Sequence, residues 1–429
     1  MSPHVACVDI GSTYTKAALV DLPSGRLLAV AQAPTTLDDV VTGVLAAVAG
    51  FPDVPVLACS SAGGGLRLAV VGYEELISAE AGHRAALSAG ARVVHVAAGR
   101  LDDDALRRLR AVAPDVVLLV GGTDGGEESV LRHNAEALAG MNWSVPVVLA
   151  GNVAVRDEIV ATLCDAGLPV RGADNVIPDI GRLAPESARA AIRDVFLEHV
   201  IGGDRLSTDP RLREWVRAVT PDAVLDGVAA LARLRADAEV PGVVVLDVGG
   251  ATTDVYCVPD PDAEQATLGR EAVGVPARRR TVEGDLGVFS SVDDLRASAA
   301  AEGLGVAEGP LALGEAAAMI ALRRHLRAEA AYGPGGAGAR GVGLVVLSGG
   351  VFRHADPGAV DGVVARLAAD RGGAGPVLSG TDVVVDARYV LAAAGLLVAE
   401  HPEAANGLLS SLAGVAVGPA GGPVPPWST

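Results

Sequence analysis

Residues 5–20, VACVDIGSTYTKAALV, share a grammar with residues 243–258, VVVLDVGGATTDVYCV. In each, an apolar run too short for an ordinary helix ends at an aspartate, Asp9 or Asp247. The chain then crosses a glycine-containing polar turn and resumes as a second apolar run. The spacing predicts two β-hairpins. In the first turn Gly11 lets backbone N–H groups approach an anion, and Ser12, Thr13 and Thr15 add hydroxyl donors. Lys16 adds positive charge, and Asp9, at the end of a buried strand, suits a hydrated Mg²⁺ better than direct contact with phosphate. The second turn offers Gly249, Gly250, Thr252 and Thr253 after Asp247. Two such hairpins, one per lobe, would clamp a phosphate chain and its metal from opposite sides.

Lys16 is the chain's only lysine; every other basic side chain apart from histidine is arginine. A compact ammonium retained where arginine otherwise serves points to a phosphate contact, against the bland reading of a chance survivor on a strand edge. At 429 residues, half of them apolar, the chain is long enough for two lobes around large cores. A net charge of −18 argues against nucleic acid as a partner, and the one basic cluster, Arg278-Arg279-Arg280, reads as a solvated turn or protein-contact patch. Cys7, Cys59, Cys164 and Cys257 are too scattered for a metal site or disulfide framework. With no leader pattern and no apolar run of about 18 residues, a soluble cytoplasmic protein without membrane association is expected.

Along the chain, a third strand (26–33), a helix (38–49) and a buried strand (54–60) follow the first hairpin. Next come the glycine-rich turn at 60–65 and a strand at 66–71. From 74 to 178 helices and strands alternate: helix 74–89, strand 92–97, helix 102–111, strand 115–121, helix 127–139, strand 145–150, helix 154–166 and a short strand near 169–171. That pattern predicts a parallel, doubly wound sheet with right-handed crossovers. Glycine-rich stretches at 121–126 and 151–152 close two of its strands, either as a ligand or partner site or as plain connections. Helices are expected at 184–198, 222–236, 293–302, 314–330 and 388–399, and strands at 343–348 and 382–385. Residues 280–287 read as a polar turn whose Glu283 and Asp285 serve a metal or solvate a loop. Residues 332–340 and the tail from 418 read as flexible. The domain expectation is 1–73 as the first part of lobe I, 74–178 as an insert, 179–240 as the helical remainder, 241–417 as lobe II and 418–429 as tail.

A third signal is GLVVLSGGVFR at 343–353, a buried strand running into Gly349-Gly350, where bare backbone can accept a flat ring. The order DIGSTYTK, DVGGATTD, SGG resembles the two phosphate motifs and the adenosine motif of the actin, sugar kinase and heat-shock chaperone ATPase superfamily. The resemblance implies two ribonuclease H-like lobes around ATP·Mg²⁺. Asp9 and Asp247 become the catalytic and metal-water ligands, Gly11, Ser12, Thr13 and Lys16 the first phosphate loop, Gly249, Gly250, Thr252 and Thr253 the second, and Gly349-Gly350 the adenosine contact. SSAGGGLRLAVVG (60–72), LLVGGTDGG (118–126), VVLAGN (147–152), ADNVIPDIG (173–181) and RTVEGDLGV (280–288) narrow the resemblance further. Together they are similar to the MutL or GlmL type of accessory protein encoded beside cobalamin-dependent glutamate mutase.

That resemblance implies an ATP-dependent reactivating chaperone with slow hydrolysis, acting on mutase subunits and possible as a homodimer. The insert resembles a cobalamin-binding fold but lacks a DxHxxG signature, and neither His83 nor His95 has that context, so contact with or mimicry of the mutase is expected. Ala251 stands where many superfamily members carry a third glycine, and no residue that positions an attacking water is identifiable. The alternatives are a small-molecule kinase, a reductive activator with an iron–sulfur cluster and a filament-forming member. The kinase lacks a defensible acceptor loop, the activator lacks suitably placed cysteines, and no pattern reveals filament surfaces.

Overall fold

The computed structural model describes residues 2–62, 66–74, 79, 81–82, 85–86, 91–201, 206–240, 242–258, 278–330, 342–370 and 381–413. Most of the helix expected at 74–89, the turn glycines 63–65, His83, the loop expected at 332–340 and the tail from 418 lie outside them.

Strand order organises the chain into three five-stranded sheets. The first holds β1 (His4–Ile10), β2 (Tyr14–Asp21), β3 (Arg26–Pro34) and β4 (Val56–Ser60). β5 (Arg67–Gly72), β6 (Arg92–Ala98), β7 (Val116–Leu119), β8 (Val147–Leu149) and β9 (Val170–Gly172) make the inserted sheet, and β10 (Val216–Val219) returns to the first. The last contains β11 (Gly242–Val248), β12 (Thr253–Val258), β13 (Arg279–Glu283), β14 (Val342–Ser348) and β15 (Asp382–Val385).

The first sheet runs β10-β4-β1-β2-β3 and the last β13-β12-β11-β14-β15. Counted by order of appearance within each sheet, both are 3-2-1-4-5: an antiparallel meander of three strands extended by two parallel ones. Both hairpins expected from the sequence are present, and the two lobes are topological copies. The inserted sheet is parallel throughout, ordered β6-β5-β7-β8-β9.

Four elements differ from the sequence expectation. The strand read at 66–71, assigned to lobe I, is β5, and it pairs on both sides within the inserted sheet. A strand buried on both faces carries the same apolar run in either sheet, so only its partners reveal its address. β10 was not anticipated: four residues, VRAV, give too short a pattern, and its partner β4 ended about 155 positions earlier. β13 reads as turn in the sequence because its two arginines mask a strand, one of them, Arg280, finding its counterion in Asp254 of the neighbouring β12. A C-terminal helix, Pro402–Ala413, was also unassigned.

Alternation sorts the lobe I strands between two cores. Val8, Ile10 and Ala17 face the helix Val40–Val48 and elements of the insert. Val5, Cys7, Ala18 and Val20 face the helices Thr220–Leu234, Val390–Leu397 and Pro402–Ala413, which also receive Val243, Val245, Tyr256 and Val346 from lobe II. The helices Thr220–Leu234 and Val390–Leu397 follow the fifth strand of their respective lobes. They cross backbone to backbone: a Cβ on Gly395 would stand 1.7 Å from the Ala223 carbonyl oxygen, and one on Gly227 would stand 2.1 Å from that of Leu391. Neither helix can carry a larger residue at the crossing without separating the lobes. Gly395→Ala is expected to destabilise the protein by about 1–3 kcal/mol or more through overpacking, measured by denaturant unfolding, whereas Gly50→Ala, whose Cβ meets open space, should not. Equal stabilities for the two variants would contradict the crossing.

Candidate functional site

The two hairpin turns have the same construction. Gly11 N–H donates to the Tyr14 carbonyl at 3.2 Å, and Gly249 N–H donates to that of Thr252 at 2.9 Å. Two residues before each glycine stands the aspartate. Cross-strand register puts Lys16 opposite Asp9, and Asp254 opposite Asp247. The lobes therefore differ in charge at equivalent positions.

Lys16 Nζ lies 3.3 Å from Asp9 Oδ2, and 4.3 Å from the ring centroid of Tyr389 in lobe II. Burial lowers the Lys16 pKa, but Asp9, then Tyr389 and Asp247, raise it further, and the net shift is upward. For Asp247, burial pushes the carboxyl up to about 6, partly offset by Lys16 and by a hydrogen bond from Ser348, while Asp254 and Asp9 add to the rise. Asp9 and Lys16 from one lobe and Asp247 from the other thus lie within electrostatic reach of one another. The other Asp9 oxygen, Oδ1, accepts from Thr220 Oγ1 at 2.7 Å and lies 3.7 Å from the Cys59 thiol.

The third motif enters from β14. Ser348 pairs with Asp247 across the parallel ladder, and Gly349 (φ 123°) begins the turn into the short helix Gly350–Arg353. A Cβ on Gly349 would meet the Val248 carbonyl oxygen at 2.3 Å, so the glycine pair presses directly on the strand bearing Asp247. Tyr389, at φ 54° before the helix Val390–Leu397, places its ring between two cations, Lys16 and Arg353, the latter at 4.8 Å. Its hydroxyl lies near Gly350. The ring thus spans from the lysine to the glycine pair.

The remaining candidates divide by exposure. Ser12 and Thr13 are exposed at the first turn, while Gly11, Gly250 and Thr252 are half-buried. Thr252 Oγ1 donates to Asp254 at 3.2 Å. Thr253 is fully buried and its hydroxyl donates to the Leu286 carbonyl at 2.7 Å, so its side chain is committed to the fold. The stretch after β13 braces the second turn: Val288 N–H donates to the Gly249 carbonyl, and the N–H groups of Phe289 and Ser290 donate to that of Gly250. Glu283 and Asp285, read as metal or loop carboxylates, are both held by Arg324, at 2.7 and 2.8 Å. Nor is the arginine triplet a solvated turn. Arg280 is buried against Asp254 at 2.8 Å, and Arg278 reaches Asp226 at 2.7 Å. In the insert, Asn152 and Asn175 are buried and tie residues 122–126 to the neighbouring loops.

Sequence reasoning missed Thr220 and Tyr389. Thr220 follows a strand too short to recognise, and Tyr389 sits inside a segment read wholly as helix. Neither carries a motif; each is found only by what it touches.

Two lobes of 3-2-1-4-5 order, each with an Asp-x-Gly hairpin, define the actin-like fold. The model of the MutL protein family matches residues 5–309 and 306–412, and the chain belongs to that family. It is 36% identical over 300 residues to "Protein MutL" of Clostridium tetanomorphum, a match covering 67% of this chain and 65% of that relative, just under two thirds of the relative's length. Among solved structures, a nucleotide-free acetone carboxylase aligns at 14% identity and TM-score 0.41, over 91% of this chain and 69% of that one. An ATP-dependent caprolactamase from Pseudomonas jessenii aligns at 15% and 0.40 (92% and 70%). Xylulose kinase from Bifidobacterium adolescentis aligns at 14% and 0.33 (96% and 93%).

The folded Asp247 carboxyl keeps its proton to about pH 6, whereas the unfolded one, with an ordinary value of 3.8, has lost it. Folding is therefore favoured more below that window than above it. Asp247→Asn, which cannot ionise, is expected to gain on the wild type between about pH 4 and 6, reaching an advantage of order 1–3 kcal/mol at neutral pH. Unfolding curves at both ends of the window test this; a pH-independent difference would refute it.

Proposed function

We propose that this chain is an ATP-dependent accessory and reactivating chaperone for a cobalamin-dependent carbon-skeleton mutase of the glutamate mutase type. The observation that carries the nucleotide part is Lys16, which pairs with Asp9 of its own lobe at 3.3 Å and stands 4.3 Å from the Tyr389 ring of the other, within electrostatic reach of Asp247. A lone ammonium between two strand-end carboxylates is suited to a polyphosphate whose metal the carboxylates hold. Asp9 and Asp247 are hard oxygen donors, the chemistry of a hydrated Mg²⁺ site. A Mg²⁺ held there would supply charge neutralisation for the phosphates. The residues' own part is to orient: Lys16 toward phosphate oxygens, the turns at Gly11-Ser12-Thr13 and Gly249-Gly250-Thr252 toward them through backbone N–H groups, and Gly349-Gly350 against the nucleoside. The partner part is supported by membership of the MutL family.

In this reading nucleotide binding draws the lobes together and slow hydrolysis releases them, a population shift requiring different affinities for the two states. The inserted sheet carries the change to the mutase, in the cytoplasm. No helix among the described residues is long and apolar enough to cross a membrane.

Lys16→Ala and Asp247→Asn are each expected to weaken ATP·Mg²⁺ binding by at least about tenfold, about 1.4 kcal/mol, in calorimetric titration, with the fold retained by circular dichroism. Unchanged affinity in both removes the phosphate site. Co-purification with mutase subunits, with and without ATP, tests the partner; nucleotide consumption that depends on an added polyol or acid, with no protein partner, would favour a kinase.

A further inference from the structure

The Asp9 carboxylate is held from a place that no motif marks. Thr220 Oγ1 donates to Asp9 Oδ1 at 2.7 Å across 211 positions of sequence, while Lys16 reaches Oδ2 at 3.3 Å. With separate partners on its two oxygens, the carboxylate cannot turn about its terminal torsion without losing one of them. Thr220 is not spent on capping its own helix. It is the first residue of the helix Thr220–Leu234, where a hydroxyl at the preceding position would cap free N–H groups. That position is Val219, and the helix has no side-chain cap. The Thr220 hydroxyl goes to Asp9 instead.

Backbone placement explains how it arrives there. Val219 on β10 is level with Ser60 on β4, and Ser60 with Ile10 on β1, so Thr220 leaves the sheet beside the end of the strand bearing Asp9. Seven residues on, the same helix carries Gly227, which meets the lobe II helix at the crossing. A rigid helix therefore has the metal carboxylate at its first residue and the interlobe contact two turns later.

We propose that Thr220 is a positioning residue for Asp9: its hydroxyl fixes the carboxylate for the hydrated metal and ties metal occupancy to the helix that crosses between lobes. This rests on the ATP·Mg²⁺ reading above. It deepens that reading by assigning the metal requirement to a residue outside the phosphate turns.

The test uses the full chain and measures ATP binding at graded Mg²⁺ and in chelator. Thr220→Val keeps the shape and deletes the donor; Thr220→Ser keeps the donor. The expected result for Thr220→Val is a five- to tenfold rise in the Mg²⁺ concentration needed for half-maximal ATP binding, with metal-free ATP binding and thermal unfolding close to wild type, and restoration by Thr220→Ser. A wild-type metal requirement in Thr220→Val, an equal loss with and without Mg²⁺, or no rescue by serine overturns the proposal. If Lys16→Ala loses ATP while Thr220→Val leaves the metal requirement unchanged, only the role of Thr220 falls. If the wild type binds no ATP under any condition, the role falls together with the nucleotide site.

Discussion

The close crossing of the helices Thr220–Leu234 and Val390–Leu397 is the constraint on which the rest depends. Gly227 and Gly395 let each helix meet the other's carbonyl backbone, with no side chain interposed. That approach seats both helices between the inner faces of the two lobes, where Val5, Cys7 and Ala18 from one and Val243, Val245 and Tyr256 from the other cover them. A side chain at the crossing would wedge the lobes apart. The ion pair and ring contacts at the cleft mouth are far weaker than the apolar area buried beneath them, so the crossing holds the cleft and the charges tune it.

The two lobes repeat each other with one exchange of charge. Where lobe I places Lys16 opposite its aspartate, lobe II places Asp254, neutralised by the buried Arg280. The exchange leaves Lys16 acting electrostatically on both aspartates. Asp9 pairs with it directly, and burial leaves Asp247 with a raised pKa that Lys16 and the Ser348 hydrogen bond only partly offset. A buried carboxyl with a raised pKa beside a shared ammonium is a combination suited to an anion that arrives with a divalent metal.

Much of this was legible in the chain because the signals were local. Each hairpin declares itself through a buried strand, an Asp-x-Gly turn and a returning strand, and register then follows from the turn. The alternation of the insert was equally plain. What misled was burial by partners distant in sequence: β5 reads the same in either sheet, β10 is too short to register, and Arg280, Arg324, Glu283 and Asp285 look solvated until their counterions are placed beside them. Thr253 has the right letter in the right motif, yet its hydroxyl is turned into the core toward Leu286.

The amino-acid order by itself determined the two hairpins, the glycines their turns require and the single lysine beside one of them, since these depend on backbone sterics and on neighbours a few positions away. Only the tertiary structure decided that Asp9 and Asp247 come within electrostatic reach of each other, that Tyr389 contacts both Lys16 and Arg353, and that Thr220 holds the first aspartate. Those contacts join residues up to several hundred positions apart, and packing of the helices and sheets is what brings them within a few ångströms.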